Sequence, residues 1–142
     1  MESSLIHELS GALLAREAVV LATVVSSRRS VPRHAGSKML VYRDGRISGS
    51  IGGGEMESRV IEAAKIALGS GSPRVLDFDL IDPVNGDPGV CGGSVTLYLE
   101  PFMPTPTVLV IGCGHVGRAV ADLAHWSGFR VAAYDDRSEL VT

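Results

Sequence analysis

Cysteine and histidine are scarce in this chain, aromatic residues supply only 5% of it, and no apolar run reaches membrane-spanning length. Two cysteines, Cys91 and Cys113, cannot build a disulfide scaffold or a four-cysteine zinc site, and neither belongs to a CxxC pair. The four histidines, His7, His34, His115 and His125, stand at no ligand spacing such as HExxH, which argues against a metal site made from His and Cys alone. The opening MESSLIHELS carries acids where a secretory signal carries basic residues, so the expectation is a soluble, cytoplasmic protein. A basic excess is missing too. Lys and Arg total 13 against 16 Asp and Glu, a formal charge of -3, which argues against general attraction to nucleic acid or an anionic membrane.

What the chain does have is glycine, 17 of 142 residues, with no Gly-X-Y period and with 45% hydrophobic residues that rule out a disordered chain. Glycine in a compact protein marks sharp turns or places where backbone lies against a ligand. Leu5, Leu9 and Leu13 predict a helix from about Ser4 to Glu17, and the β-branched run Ala18 to Val25 predicts a buried strand. Lys38 to Tyr42 and Arg46 to Ser50 flank Asp44-Gly45, a hairpin signal. Met56, Val60, Ile61, Ala64 and Leu68 predict a second helix from Glu55, stopped by Gly69 to Gly71. Arg74 to Leu80 and Ser94 to Leu99 read as strands. Asp77 and Asp79 then fall on the polar face of the first, as solvated acids and not as an acid/base pair.

Three prolines, Pro101, Pro104 and Pro106, mark a linker. After it, Val108 to Ile111, Gly112-Cys113-Gly114-His115-Val116-Gly117, an apolar helix to about Trp126 and the run Arg130 to Tyr134 form a strand, glycine turn, helix and strand. The predicted fold class is α/β. A mixed-sheet N-terminal α/β domain spans residues 1–100, a Pro-rich linker 101–107, and a truncated, incomplete Rossmann-like domain 108–142, whose two strands and one crossover call for cover from elsewhere.

Each of three glycine clusters has a chemical reading and a plain one. In the last, Gly112 permits the tight turn, Gly114 admits a pyrophosphate and Gly117 packs helix on strand, while Asp135 accepts from a ribose hydroxyl; the plain alternative keeps the same glycines for packing. Asp135 favours NAD, whereas Arg137 beside it suits a 2′-phosphate. The first cluster, Gly49 to Gly54, opens a helix, and a helix start with bare glycine backbone suits an anion. Upstream lie Arg28, Arg29, Arg33, Lys38, Arg43 and Arg46 with only Asp44 among them, a phosphate or carboxylate surface or else a solvated hairpin. No Gly-Lys-Ser/Thr closes the cluster, so a P-loop is excluded. The middle cluster, Pro88 to Gly93, holds Cys91 in a glycine loop; spacing alone favours a structural thiol there, and more so for Cys113.

Taken in order, Arg29 to Arg33 with Gly36 to Val41, Gly49 to Glu57, Cys91 to Val95 through Pro101, and Val108 to Arg137 resemble the xanthine dehydrogenase accessory-factor family, which includes accessory proteins of carbon monoxide dehydrogenase. The resemblance implies a chaperone that binds molybdenum cofactor (molybdopterin) and helps mature a molybdenum hydroxylase. Carried onto this chain, Arg33 and Gly52, Gly53 and Gly54 hold the pterin phosphate, Glu57 ends the family's Gly-Gly-x-x-Glu pattern, and Cys91 with Gly92 and Gly93 lies near the molybdenum as its metal ligand. It also implies as partners an apo molybdenum hydroxylase and a cysteine desulfurase or sulfurase. Open sheet edges point to a homodimer. The competing expectation is an NAD(P)-dependent oxidoreductase or redox sensor working through Gly112, Gly114, Gly117 and Asp135; no general acid/base pair is evident, so a binder is favoured over an enzyme.

Overall fold

The computed structural model describes residues 2–28, 33–79 and 93–140 and divides into two units, residues 1–104 and 105–142. In the first, elements run α1 (Glu2–Leu14), β1 (Val19–Arg28), β2 (Lys38–Tyr42), β3 (Ile47–Gly49), α2 (Gly54–Ser70), β4 (Arg74–Asp79) and β5 (Ser94–Phe102). The five strands form one sheet in the order β3-β2-β1-β5-β4. Every pairing in it is antiparallel, where a mixed sheet was the expectation; among the described residues the parallel pairing is that of β6 (Thr107–Ile111) with β7 (Arg130–Tyr134), in a second sheet.

The continuous apolar run of β1 makes it the central strand, buried on both faces. Val20, Ala22 and Val24 meet α2, whose Met56, Val60, Ala63, Ala64, Ala67 and Leu68 recur at helical spacing. Val19 and Leu21 turn the other way and, with Leu40, receive Leu5, Leu9 and Ala12 of α1. The sheet is thus covered by a helix on each face, with Leu97 and Leu99 of β5 wholly buried between. Helix α1 ends at Leu14, short of the expected Glu17, because Arg16 takes a left-handed conformation at φ 61°. Helix α2 runs on to Ser70 and closes on Gly71 at φ 64°, whose N–H donates to the Ala67 carbonyl at 2.8 Å.

The predicted linker begins inside a strand. Glu100, Pro101 and Phe102 pair with Leu21, Val20 and Val19 of β1, and Pro101 is accommodated because β4 ends its pairing at Leu99, leaving that flank of β5 without a neighbour. Strand β3 stops at Gly49, one residue early, where φ is 80° and a Cβ would strike the Lys38 carbonyl. Leu80 lies outside the described residues. Asp77 and Asp79 are exposed, as their alternation predicts, and Asp77 accepts from the Thr96 hydroxyl at 2.7 Å.

In the second unit β6, α3 (His115–Trp126) and β7 form the expected parallel strand-helix-strand, followed by a short 3-10 turn at Ser138–Leu140. A Cβ on Gly117 would collide with the Gly112 carbonyl, so this glycine lets α3 lie against the turn. No helix among the described residues is long and apolar enough to cross a membrane.

Candidate functional site

The antiparallel register decides which sequence clusters meet. Arg28 at the end of β1 pairs with Ser94 at the start of β5, and Asp79 at the end of β4 pairs with the same Ser94. The connection carrying Arg33, the loop after Gly49 and the approach to Gly93 therefore all leave from one end of the sheet, and α2 starts there. Arg33 is exposed, Gly93 is buried at the root of β5, and Cys91 and Gly92 lie outside the described residues, as does Arg29.

The predicted basic surface is split. Strand β2 carries the chain away from this end, so Arg43 and Arg46 sit on the β2–β3 hairpin at the other. Arg46 is spent internally: Nε donates to Asp44 at 2.7 Å, Nη2 reaches Glu17 at 3.5 Å, and the guanidinium stacks 4.3 Å from the Tyr42 ring centre. That hairpin lines an open cavity of about 520 Å³ with Arg16, Met103 and Pro104, where Asp44 and Glu17 offset the arginines.

At the glycine loop the central finding concerns Glu57. Its Oε1 accepts from the Ser50 hydroxyl at 2.7 Å, from the Gly53 N–H at 2.9 Å and from the Ile51 N–H at 3.1 Å, while the Gly52 N–H donates to Ser50 Oγ at 3.3 Å. Burial alone would raise the Glu57 pKa, but these donors outweigh it and hold the group below the usual glutamate value. The resemblance implies Glu57 as a cofactor-site residue and Gly52, Gly53 and Gly54 as the glycines that hold the pterin phosphate. In this structure its carboxylate accepts from the Gly53 and Ile51 amides itself, one helical turn into α2, reaching back to the N-cap N–H as a capping-box acid does, from one position further on. The signal was present in the sequence as an acid four residues after the Gly53 cap.

The helix start remains suited to an anion in other respects. Gly52, Gly53 and Gly54 adopt φ of 144°, 84° and 62°, a run that L side chains rarely follow. Gly53, the N-cap residue, has no side chain to accept from the amides of the first turn, and a Cβ there would meet open space. The first helical amides lack intrahelical acceptors by construction of any α-helix. Lys38, near the loop, donates from Nζ to the Gly36 carbonyl at 2.9 Å.

In the second unit Gly112 adopts φ 93° and donates its N–H to the Tyr134 carbonyl at 2.8 Å, and Gly114 caps α3. Asp135 turns inward to the same turn: Oδ2 accepts from the Cys113 N–H at 2.6 Å, and the Arg137 backbone N–H and guanidinium close on both oxygens at 2.9 to 3.0 Å. The paired Arg137 guanidinium, its own backbone N–H and the Cys113 N–H hold the Asp135 carboxyl far below the ordinary range. Cys113 is half-buried with Sγ 3.6 Å from the Tyr134 carbonyl, in keeping with a structural thiol. Among the described residues no three His, Cys, Asp or Glu side chains gather as a metal site.

Comparison with known proteins adds sequence and fold relatives. Residues 12–79 match the model of the XdhC and CoxI family. Over 119 residues the chain is 40% identical to the uncharacterized protein YqeB of Escherichia coli K12, across 81% of this chain and 21% of YqeB. Over 107 residues it is 31% identical to the molybdenum cofactor insertion chaperone PaoD of the same organism, across 70% of this chain and 31% of PaoD. The chain thus spans about a fifth of one curated relative and under a third of the other. A solved structure described as a xanthine dehydrogenase from Bacillus halodurans superposes with a TM-score of 0.57 at 17% identity, covering 95% of this chain and 63% of that one, a likeness of fold.

Proposed function

Through residues 12–79 the chain belongs to the XdhC and CoxI family, and from that premise we propose that it takes part in handling molybdenum cofactor for a molybdenum hydroxylase, as a binding and delivery protein and not as an enzyme. The observation that carries this reading is that the Gly49 to Gly54 loop with its helix start, the Arg33 connection and Gly93 at the root of β5 all lie toward the same end of one antiparallel sheet. A polyanionic pterin needs phosphate donors and its metal favours a soft thiolate, and the helix start with Arg33 offers the former while Cys91, two residues before Gly93 in sequence, offers the latter.

The donor set fits the cargo in a particular way. Glycines with positive φ and an N-cap without a side chain leave bare backbone at the helix start, where Gly54 and the residues after it present amides; the exposed Arg33, toward the same end of the sheet, would add charge. Glu57 acts as the clasp that holds Ser50 to Gly53 in place. Cys91, followed by Gly92 and Gly93, supplies the thiolate for the metal. Bound cofactor would bring the oxygen-labile molybdenum centre that a hydroxylase requires. In this reading an apo hydroxylase receives it, a cysteine desulfurase or sulfurase acts on it while held, and a homodimer in the cytoplasm is the working form; PaoD, named as a molybdenum cofactor insertion chaperone, supports the delivery step.

Anaerobic titration of the chain with molybdenum cofactor, followed by absorbance, tests the proposal. Saturable binding weakened about tenfold or more by Arg33→Ala is expected, since a charge-assisted phosphate contact contributes on that scale. Absence of binding to the parent chain would overturn the reading.

A further inference from the structure

A strand, glycine turn and helix followed by an acid implies a dinucleotide, with Asp135 accepting from the ribose. The residues present do not fit that role. A carboxylate offers about four lone-pair positions. At Asp135 four donors of this chain take them: the Cys113 N–H, and from Arg137 the backbone N–H, Nε and Nη2. The side chain is 1% exposed, leaving no surface through which a diol could reach it. Arg137, by contrast, is 55% exposed, and its Nη2 lies 4.0 Å from where a Cβ on Gly114 would stand, over the glycine whose bareness a pyrophosphate would need.

We infer that Asp135 is a positioning residue, the internal anchor that ties the glycine turn to the end of β7 through Cys113 and Arg137, and that this turn does not read a ribose diol through it. The arrangement has a physical logic. Gly112 at φ 93° and Gly114 at the start of α3 leave a turn without side chains of its own to hold it, and the carboxylate just past β7 supplies an acceptor for the Cys113 N–H, an amide that lies ahead of the helix and outside its ladder. Arg137 then compensates the buried charge with a two-pronged pair. All of these groups lie within one unit, so the anchor owes nothing to the remainder of the chain.

Amide hydrogen exchange at Cys113 and NADH fluorescence titration, on the intact chain and on Asp135→Ala and Asp135→Asn, decide the matter. Cys113 exchange should accelerate about tenfold or more in Asp135→Ala, the loss of one charge-assisted bond. Should that variant fail to fold, Asp135→Asn carries the same readout with a smaller acceleration, because it keeps one acceptor and turns an NH2 toward Arg137. NADH binding should be absent throughout, or unchanged within about twofold by Asp135→Asn. Unaltered Cys113 exchange, or NADH binding weakened beyond that margin, would overturn the inference.

Discussion

A carboxylate that receives two amides and a hydroxyl on one oxygen stays charged even where burial opposes it, and Glu57 is held in that way by Ile51, Gly53 and Ser50. Replacing it with alanine leaves those donors without their acceptor and should cost about 1–3 kcal/mol in chemical denaturation. The same contacts set a pH dependence. The folded-state pKa lies below the ordinary 4.5, so the contribution is complete above that value and is lost as pH falls through the depressed folded value. Parent and Glu57→Gln should therefore converge in stability on acidification, and a gap independent of pH would contradict the assignment. Glu57 and Asp135 also mark the limit of what the sequence made legible at this scale. Sequence spacing points to both acids, and in the structure both accept from backbone of their own chain, because an acid near a glycine turn has the same spacing whether its carboxylate faces a ligand or the turn itself.

Elements were easier to read where periodicity and punctuation agree. The stripe from Met56 to Leu68 faces the sheet, the Asp44-Gly45 turn joins β2 to β3, and Gly71 ends α2. Boundaries slipped where a tertiary neighbour decides them: β5 runs through Pro101 because β1 continues beside it, which no local signal records. Leu97 of β5 is wholly buried in the cluster under α2, so Leu97→Ala should cost about 2–5 kcal/mol in urea unfolding. At the second glycine turn Gly117→Ala should lower the thermal stability of the βαβ unit, since a Cβ collides with the Gly112 carbonyl; an unchanged melting profile would mean that α3 can withdraw at no cost.

On the scale of the whole molecule, the proline-rich stretch marks the division into two units, while the strand register, and with it the division of the basic segment, is not legible in the sequence. Consecutive arginines read as one patch in sequence, yet β2 carries Arg43 and Arg46 to the opposite end of the sheet from Arg33. The second unit exposes Leu109, Ile111 and Tyr134 on its strands and Val116, Leu123 and Trp126 on α3, a large apolar area for a parallel strand pair. An apolar dye such as ANS should bind there, and paired Leu109→Thr and Ile111→Thr changes should reduce its fluorescence. The proposal that the chain holds its cargo through the Gly49 to Gly54 loop and the Cys91 thiolate is tested most directly by the molybdenum retained per chain after anaerobic incubation with molybdenum cofactor and gel filtration. Metal should remain on the parent chain and be lost from Cys91→Ala; equal retention by both, or none by the parent, would contradict that role.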